Sequence, residues 1–268
     1  MTQFDFGQNW TEFSANAANP ERAAQARSHF ESLMGGIPLA GSSFLDIGFG
    51  QGFSLLSALA QGAKAVGCDI NPKCHSVISS NRRLFPDAEE MPIELHVGSI
   101  LDGATVKALR ASAAVAGRGF DVVHSWGVLH HTGDMKLAVA NAGSLVGPDG
   151  YFVLAIYNRH WSSRPWLAIK FLYVHSPRWL QRMMVGVLYP AIWLAKWAVT
   201  GKDPKSKERG MEFFYDVVDW VGGYPYEYAT IEEMEQLCSP LGFSLVRAIP
   251  AIVPTGCNEL IFRKSLEA

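Results

Sequence analysis

The chain has 268 residues, 49% of them hydrophobic and 18% charged, with a formal net charge of −2. That length and apolar content suffice for one enlarged domain with a substantial core, and the near-neutral balance excludes a generally basic, nucleic-acid-binding surface. The four cysteines, Cys68, Cys74, Cys238 and Cys257, form no C-x-x-C pair, and Met1 to Phe6 lack the basic start and apolar run of a signal peptide, so a cytoplasmic protein with reduced thiols is expected.

The first strong element is a strand near 43–47 running straight into Asp46-x-Gly48-x-Gly50-x-Gly52, after which Leu55, Leu56 and Leu59 repeat at helical spacing over 52–61. Glycines at these places allow positive φ and let a ligand touch bare backbone. The spacing differs from the dinucleotide fingerprint G-x-G-x-x-G. The carboxylate of Asp46 suits a cationic ligand, such as the sulfonium and amino group of S-adenosylmethionine (SAM), better than an anionic pyrophosphate. A second strand near 65–70 ends in Asp69, an acid placed to chelate two ribose hydroxyls, with Ile70 beside it. Asn71-Pro72 then opens a helix over 72–85.

Further strands are predicted near 93–97, 120–125, 150–156, 243–248 and 258–263, with helices near 103–116, 134–146 and 230–240. The alternation argues for an open α/β sheet with helices on both faces. The last two strands follow one another without a helix, so the chain closes on an antiparallel hairpin. Ligands of such sheets lie beyond the carboxyl ends of the strands, which puts Asp46, Asp69, Ser99 and Ser125 on one rim.

The run from Phe120 through Ser125, Trp126, Gly127, Val128, Leu129, His130 and His131 to Asp134 resembles the class I SAM-dependent methyltransferases, in the branch with a "VLHH" segment after the fourth strand. The match covers roughly residues 43–156. It implies a Rossmann-like, seven-stranded, mostly parallel sheet with an antiparallel last strand, and SAM as cofactor, converted to S-adenosylhomocysteine. By the same resemblance the Asp46 turn holds the methionine end, Asp69 the ribose, and Ser99 and Ile100 the adenine. Some quinone O-methyltransferases of this superfamily bind a divalent ion on this loop through acids and a histidine. The matching positions are Gly127, His130 and His131, a poor set for a hard cation, so no metal is expected. On these grounds 1–40 is an N-terminal helical cap, 41–156 a SAM-binding core, 157–229 a helical lid insertion, and 230–268 the rest of the core.

The insertion is longer than an ordinary connection. Helices are predicted near 165–175 and 177–200, with a kink at Pro190 and a stop at Gly201. Residues 159–209 hold ten Lys/Arg against two acids, and five of the eight tryptophans, at 161, 166, 179, 193 and 197. A lid over the methyl acceptor, a peripheral membrane patch over 160–200 and a homodimer surface all fit this composition. Pro190 and Lys196 argue against a transmembrane helix.

Methyl transfer is an in-line displacement in which the acceptor is often relieved of a proton. His131 and His130 are candidate bases, with His131 facing the pocket and His130 orienting it. The loop Gly222 to Tyr228 offers Tyr224, Tyr226 and Glu227 as aromatic walls and a carboxylate. Trp10 near the start, Trp126 after the fourth strand and Asn258 near the end complete the acceptor candidates, and these segments are similar to a bacterial subgroup of methyltransferases. A small-molecule acceptor of anionic or lipid-like character is expected, with oxygen, nitrogen, sulfur and carbon all open and no nucleic acid. The alternatives are a SAM-fold binding or regulatory subunit without chemistry, and an NAD(P)-dependent oxidoreductase. Glycine spacing, Asp46 and the closing hairpin oppose the latter.

Overall fold

The computed structural model describes residues 4–115, 117–204 and 211–265. The insertion residues Lys205, Lys207, Glu208 and Arg209, and the first three residues of the N-terminal cap, lie outside that set. Two helices, α1 (Phe6–Asn16) and α2 (Pro20–Met34), precede the sheet. Asn19 caps α2 by accepting the Arg22 N–H, Pro20 takes the first turn, and Gly35 ends it at φ 55°.

Among the described residues seven strands form one sheet: β1 (Ser43–Ile47), β2 (Lys64–Asp69), β3 (Glu94–Val97), β4 (Phe120–Trp126), β5 (Val146–Tyr157), β6 (Phe243–Ile249) and β7 (Cys257–Lys264). The order is β3-β2-β1-β4-β5-β7-β6. Pairing is parallel from β3 to β5, and β7 is antiparallel to both β5 and β6, so it is the single reversed strand. This is the Rossmann-like arrangement expected from the sequence.

Helices cover both faces. On one face α1 and α2, with α3 (Phe53–Ala60) and α4 (Lys73–Asn81), bury Phe13, Phe30, Leu56 and Ile78 against Phe44, Val122 and Ile261. On the other, α5 (Gly103–Arg110), α6 (Met135–Gly143) and α10 (Ile231–Cys238) bury Leu109, Val139 and Met234 against Leu45, Val123 and Leu260. Central parallel strands are thus apolar on both sides; β1 is buried at all five positions. A third cluster joins α7 (Ser163–His175), α8 (Arg178–Thr200) and α9 (Phe213–Gly222) through Tyr173, Val185, Ile192, Phe213 and Val221.

Some boundaries move. The helix predicted over 103–116 stops at Arg110, because the Ser112 hydroxyl accepts the Ala114 N–H and donates to Glu94, offering the backbone a turn instead. Pro86 limits the helix over 72–85 to Asn81, followed by two short 3-10 turns. The segment Phe213–Gly222 forms a helix, α9, for which no element was predicted. The two insertion helices, α7 and α8, fall where predicted, with Pro190 inside α8 and Gly201 closing it at φ 66°.

Candidate active site

The glycine turn between β1 and α3 forms the floor of a cavity of about 1490 Å³ along the carboxyl ends of the parallel strands. Gly48, Gly50 and Gly52 have φ of 73°, 50° and 84°. A Cβ on Gly48 would lie 2.4 Å from Val128, and one on Gly50 2.8 Å from the Trp10 indole nitrogen, so side chains at both places would fill the cradle. Gly52 is a packing glycine: it caps α3, and its Cβ would strike Ile78 at 2.5 Å.

Asp69, at the end of β2, is 8% exposed and faces the same cavity. One oxygen accepts the Gly50 N–H at 3.0 Å and the other the Asn71 N–H at 2.8 Å. Burial pushes its pKa up, with those two N–H groups pulling back. Ile70 lies beside it, 54% exposed, and Ser99 and Ile100 line the same end of the cavity. An acid with spare lone pairs next to a bare-backbone turn and an exposed apolar side chain fits the ribose, methionine and adenine portions of SAM.

The cavity then runs from the turn along Trp10, Trp126 and His131 towards Trp166 and Trp220 of the lid. His131 is 5% exposed, and its Nδ1–H donates to the Pro225 carbonyl at 2.6 Å. Burial, with a contribution from Lys170, lowers its pKa to about 3, so the ring is neutral at physiological pH. His130 is fully buried behind it and does not reach the cavity; its Nδ1 accepts the Tyr157 N–H at 3.3 Å. Burial also holds His130 well below the usual histidine range, which makes it a packing residue rather than a base.

Several other residues singled out in the sequence point away from the cavity. Ser125 is buried on the α6 face, donating to the Ile47 carbonyl at 3.1 Å. Asn258, likewise on the far side of the pleat, accepts from Ala251 N–H and donates to Asn158. The Glu227 carboxylate accepts the Met135 N–H at 3.0 and 3.2 Å, capping α6 instead of meeting an acceptor. Tyr224 packs on Phe171 outside the main cavity. Tyr226 is 4% exposed, its ring tilted against that of Tyr157 at 5.2 Å.

Sequence reading missed four groups. His124 and Asp46 face each other across β1 and β4, Nδ1 to Oδ1 at 2.8 Å. Glu259 of β7 accepts the Trp126 indole N–H at 2.8 Å and meets His29 Nε2 at 3.0 Å. Lys170 is entirely buried in the lid, donating to the Trp220 carbonyl, with its ammonium over the rings of Trp220 (4.4 Å), Tyr226 (4.7 Å) and Tyr157 (5.4 Å). His124 and Glu259 each lie one residue from the position chosen, on strands with buried apolar neighbours on both faces, where alternation gives no parity. Among the described residues no group of three His, Cys, Asp or Glu side chains is arranged to hold a metal ion.

A seven-stranded sheet with one reversed strand, carrying a glycine cradle and an acid at the end of β2, defines the fold of class I SAM-dependent methyltransferases. The chain belongs to the methyltransferase domain family, whose model matches residues 16–213. It is similar to the ubiquinone biosynthesis O-methyltransferase of Methylobacterium sp. (strain 4-46), with 31% identity over 140 residues, 52% of this chain and 50% of that protein. The enzyme of the same name from Rhizobium rhizogenes (strain K84) is 30% identical over 169 residues, 61% of this chain and 62% of its own. The chain spans about half the length of the curated relatives it matches. In fold it resembles the magnesium protoporphyrin IX methyltransferase of Synechocystis PCC 6803 with bound SAH, with TM-score 0.55, 14% identity and coverage of 96% of this chain and 94% of that one.

Proposed function

We propose that the protein transfers the methyl group of SAM to a hydroxyl of a small, flat, lipid-like acceptor. The carrying observation is the continuity of the cavity, which runs from the Asp69 and Gly50 cradle to an aromatic lobe at Trp126, His131 and Trp220. SAM supplies an electrophilic methyl on a sulfonium. Asp69, with Ile70, Ser99 and Ile100, would hold its nucleoside, and the Gly48–Gly50 turn its methionine end. Trp10, Trp126 and neutral His131 would fix the acceptor, with the lid sheltering both from water. The polar groups around this lobe, His131 and Glu259, favour an acceptor that brings hydrogen-bond donors, which is why a hydroxyl is preferred. The relatives' printed activity, O-methylation, supports the same choice. Isothermal calorimetry with SAM, followed by mass detection of methyl transfer to catechols and simple phenols, tests this reading; SAM binding without turnover on any acceptor would favour a regulatory subunit instead.

A lipid surface is the second element of the proposal, and it rests on α8. This helix is long and apolar enough to span a bilayer, with mean hydropathy 1.3, yet only 11% of that stretch is buried. Trp179, Met183, Val187, Leu194 and Trp197 recur every three to seven residues and are about half to two-thirds exposed. Val185 and Ile192 pack inward, and Lys196 pairs with Asp216 of α9 at 2.9 Å, so the helix lies against α9 and would lie along a membrane rather than through it. Arg178 and Arg182 supply charges that suit anionic headgroups. The inner side of α8 lines the cavity at Ile192, Ala195 and Val199, giving an apolar acceptor a path inward. Free cysteines, three of them buried, fit the cytoplasmic side of such a membrane. A second copy of the chain on the same stripe is the outcome that light scattering would reveal.

A further inference from the structure

Glu259 stands near the start of β7, where the residues that follow it, Leu260, Ile261 and Phe262, are buried. It pairs with Ala155 of β5 and Ile249 of β6, which puts it at the rim of the sheet, and it lines the cavity. One carboxylate oxygen accepts the Trp126 indole N–H at 2.8 Å and lies 3.0 Å from His29 Nε2. The rings of Trp126 and His29 meet edge to face at 6.3 Å, so both partners of the carboxylate are held in place. The side chains of Glu259 and His29 are 12% and 26% exposed, open to a molecule in the cavity. A carboxylate has about four lone-pair sites, so two partners on one oxygen leave capacity for a further donor.

The surroundings of this carboxylate are apolar: Ala26 and Leu33 of α2, with Ile249 and Val253 at the end of β6 and just after it. Trp126 lies two residues before Val128, the side chain that a Cβ on Gly48 would strike, so Glu259 is tied to the segment that packs on the glycine turn. The other acids of the cavity are engaged differently. Asp69 accepts two backbone N–H groups and Asp46 meets buried His124. Asp5 ties α1 to Asn71 and Lys73, Asp216 pairs with Lys196, and Asp219 accepts the Asn9 amide. A carboxylate that takes a proton becomes neutral, which apolar walls favour, whereas a histidine that takes one becomes charged. His131 is disfavoured further, because its Nδ1–H is committed to the Pro225 carbonyl and the ammonium of Lys170 opposes a second positive charge.

We infer that Glu259 is a catalytic residue that accepts the acceptor's hydroxyl proton, with Trp126 and His29 as its positioning residues, an assignment that rests on the proposed O-methylation. A lone pair of the hydroxyl oxygen forms the new O–CH3 bond, and the methyl–sulfur bond breaks with its electrons going to sulfur. An oxygen carrying three bonds is strongly acidic, so a carboxylate is base enough to take its proton. The products are the methyl ether, SAH and a neutral Glu259 carboxyl, which returns its proton to water when the ether leaves. The same carboxylate makes the site selective: a hydroxyl brings it a donor, and an ether in that place does not.

The test compares wild type with Glu259→Gln on two kinds of acceptor: catechol or phenol, and their nitro-substituted counterparts, whose hydroxyl is already ionised at mildly alkaline pH. The variant should bind SAM within about threefold of wild type while kcat on catechol or phenol falls about 10²–10⁴-fold. On the nitro compounds, which bring no proton to remove, it should match or exceed wild type. A purely structural loss lowers both alike. An equal fall on both kinds of acceptor, or kcat on catechol or phenol within about threefold of wild type, overturns the assignment. Should Glu259→Gln fail to fold, Trp126→Phe decides on the same acceptors, with a fall of about tenfold expected on the protonated ones alone and equal falls overturning the role. Wild type that binds SAM but methylates no hydroxyl acceptor overturns this assignment together with the O-methylation reading. Wild type that does not bind SAM sinks the proposed function itself.

Discussion

The Asp69 carboxylate accepts the backbone N–H of Gly50 at 3.0 Å, which ties the acid at the end of β2 to the glycine turn at the end of β1. Neither half of the cofactor cradle is independent of the other. Asp69→Ala is expected to lose both the ribose contact and the brace on the turn, weakening SAM binding by about 10–100-fold, the range for losing hydrogen bonds to a charged group. Calorimetry that finds unchanged affinity would remove the ribose role.

Gly50→Ala acts on the same cradle from the other side. Its added methyl meets the Trp10 indole at 2.8 Å in a backbone conformation at φ 50°. Left-handed strain of this kind costs about 1 kcal/mol before the clash is counted. SAM affinity is expected to fall about tenfold or more, and Trp10→Ala in the same background should restore part of it, measured by the same titration.

Lys170 gives the protein a characteristic pH dependence. Burial in the aromatic cage lowers its pKa from 10.5 to about 7, with the charge on Asp219 pulling upward. The unfolded chain keeps that proton up to about 10.5. Between those values the unfolded state holds more protons, so the unfolding free energy contributed by Lys170 rises with pH from about 7 to 10.5 and is flat above. Urea titrations across that window should show a total rise on the order of a few kcal/mol in the wild type and its loss in Lys170→Met.

Metal dependence is a sharp discriminator. With glycine at 127 and the two histidines engaged by Pro225 and Tyr157, the one carboxylate on the loop after β4 is Asp134, which caps α6 through the Leu137 N–H. Activity should survive a chelator within about twofold of the untreated rate; full loss on chelation, with recovery on adding magnesium, would refute this.

For α8, co-sedimentation with vesicles rich in anionic phospholipid should exceed that with neutral vesicles and fall as salt rises. Replacing Trp179 and Val187 with Ser should weaken it by about tenfold, since each exposed side chain can contribute on the order of 1 kcal/mol or more on burial. Equal binding by the variant would remove the stripe from the interface.

The proposed cofactor half of the site could be read from the sequence because it is local. Asp46 through Gly52 and Asp69 through Asn71 are contiguous pieces whose residue types carry their own geometry. The proposed acceptor half draws on α2, β4, β7 and the helices α7 to α9, and no spacing along the chain announces that His29, Trp126 and Glu259 meet. Ser125 and Asn258 were chosen where His124 and Glu259 face the cavity. Both strands are apolar on both faces, with Val122 and Val123, or Leu260 and Ile261, buried on opposite sides, so the alternation that fixes parity is hidden. Glu227 was misread because a carboxylate near a loop looks the same in sequence whether it meets a ligand or a helix end.

The position of β7 sets an order of assembly. It is the last of the described strands in chain order, yet it lies between β5 and β6 and carries Glu259 into the cavity. During synthesis the glycine turn, Asp69 and the β3-β2-β1-β4-β5 sheet can form while the acceptor arm still lacks its far wall. A nascent chain can therefore become competent to hold the methyl donor before it can select what receives the methyl.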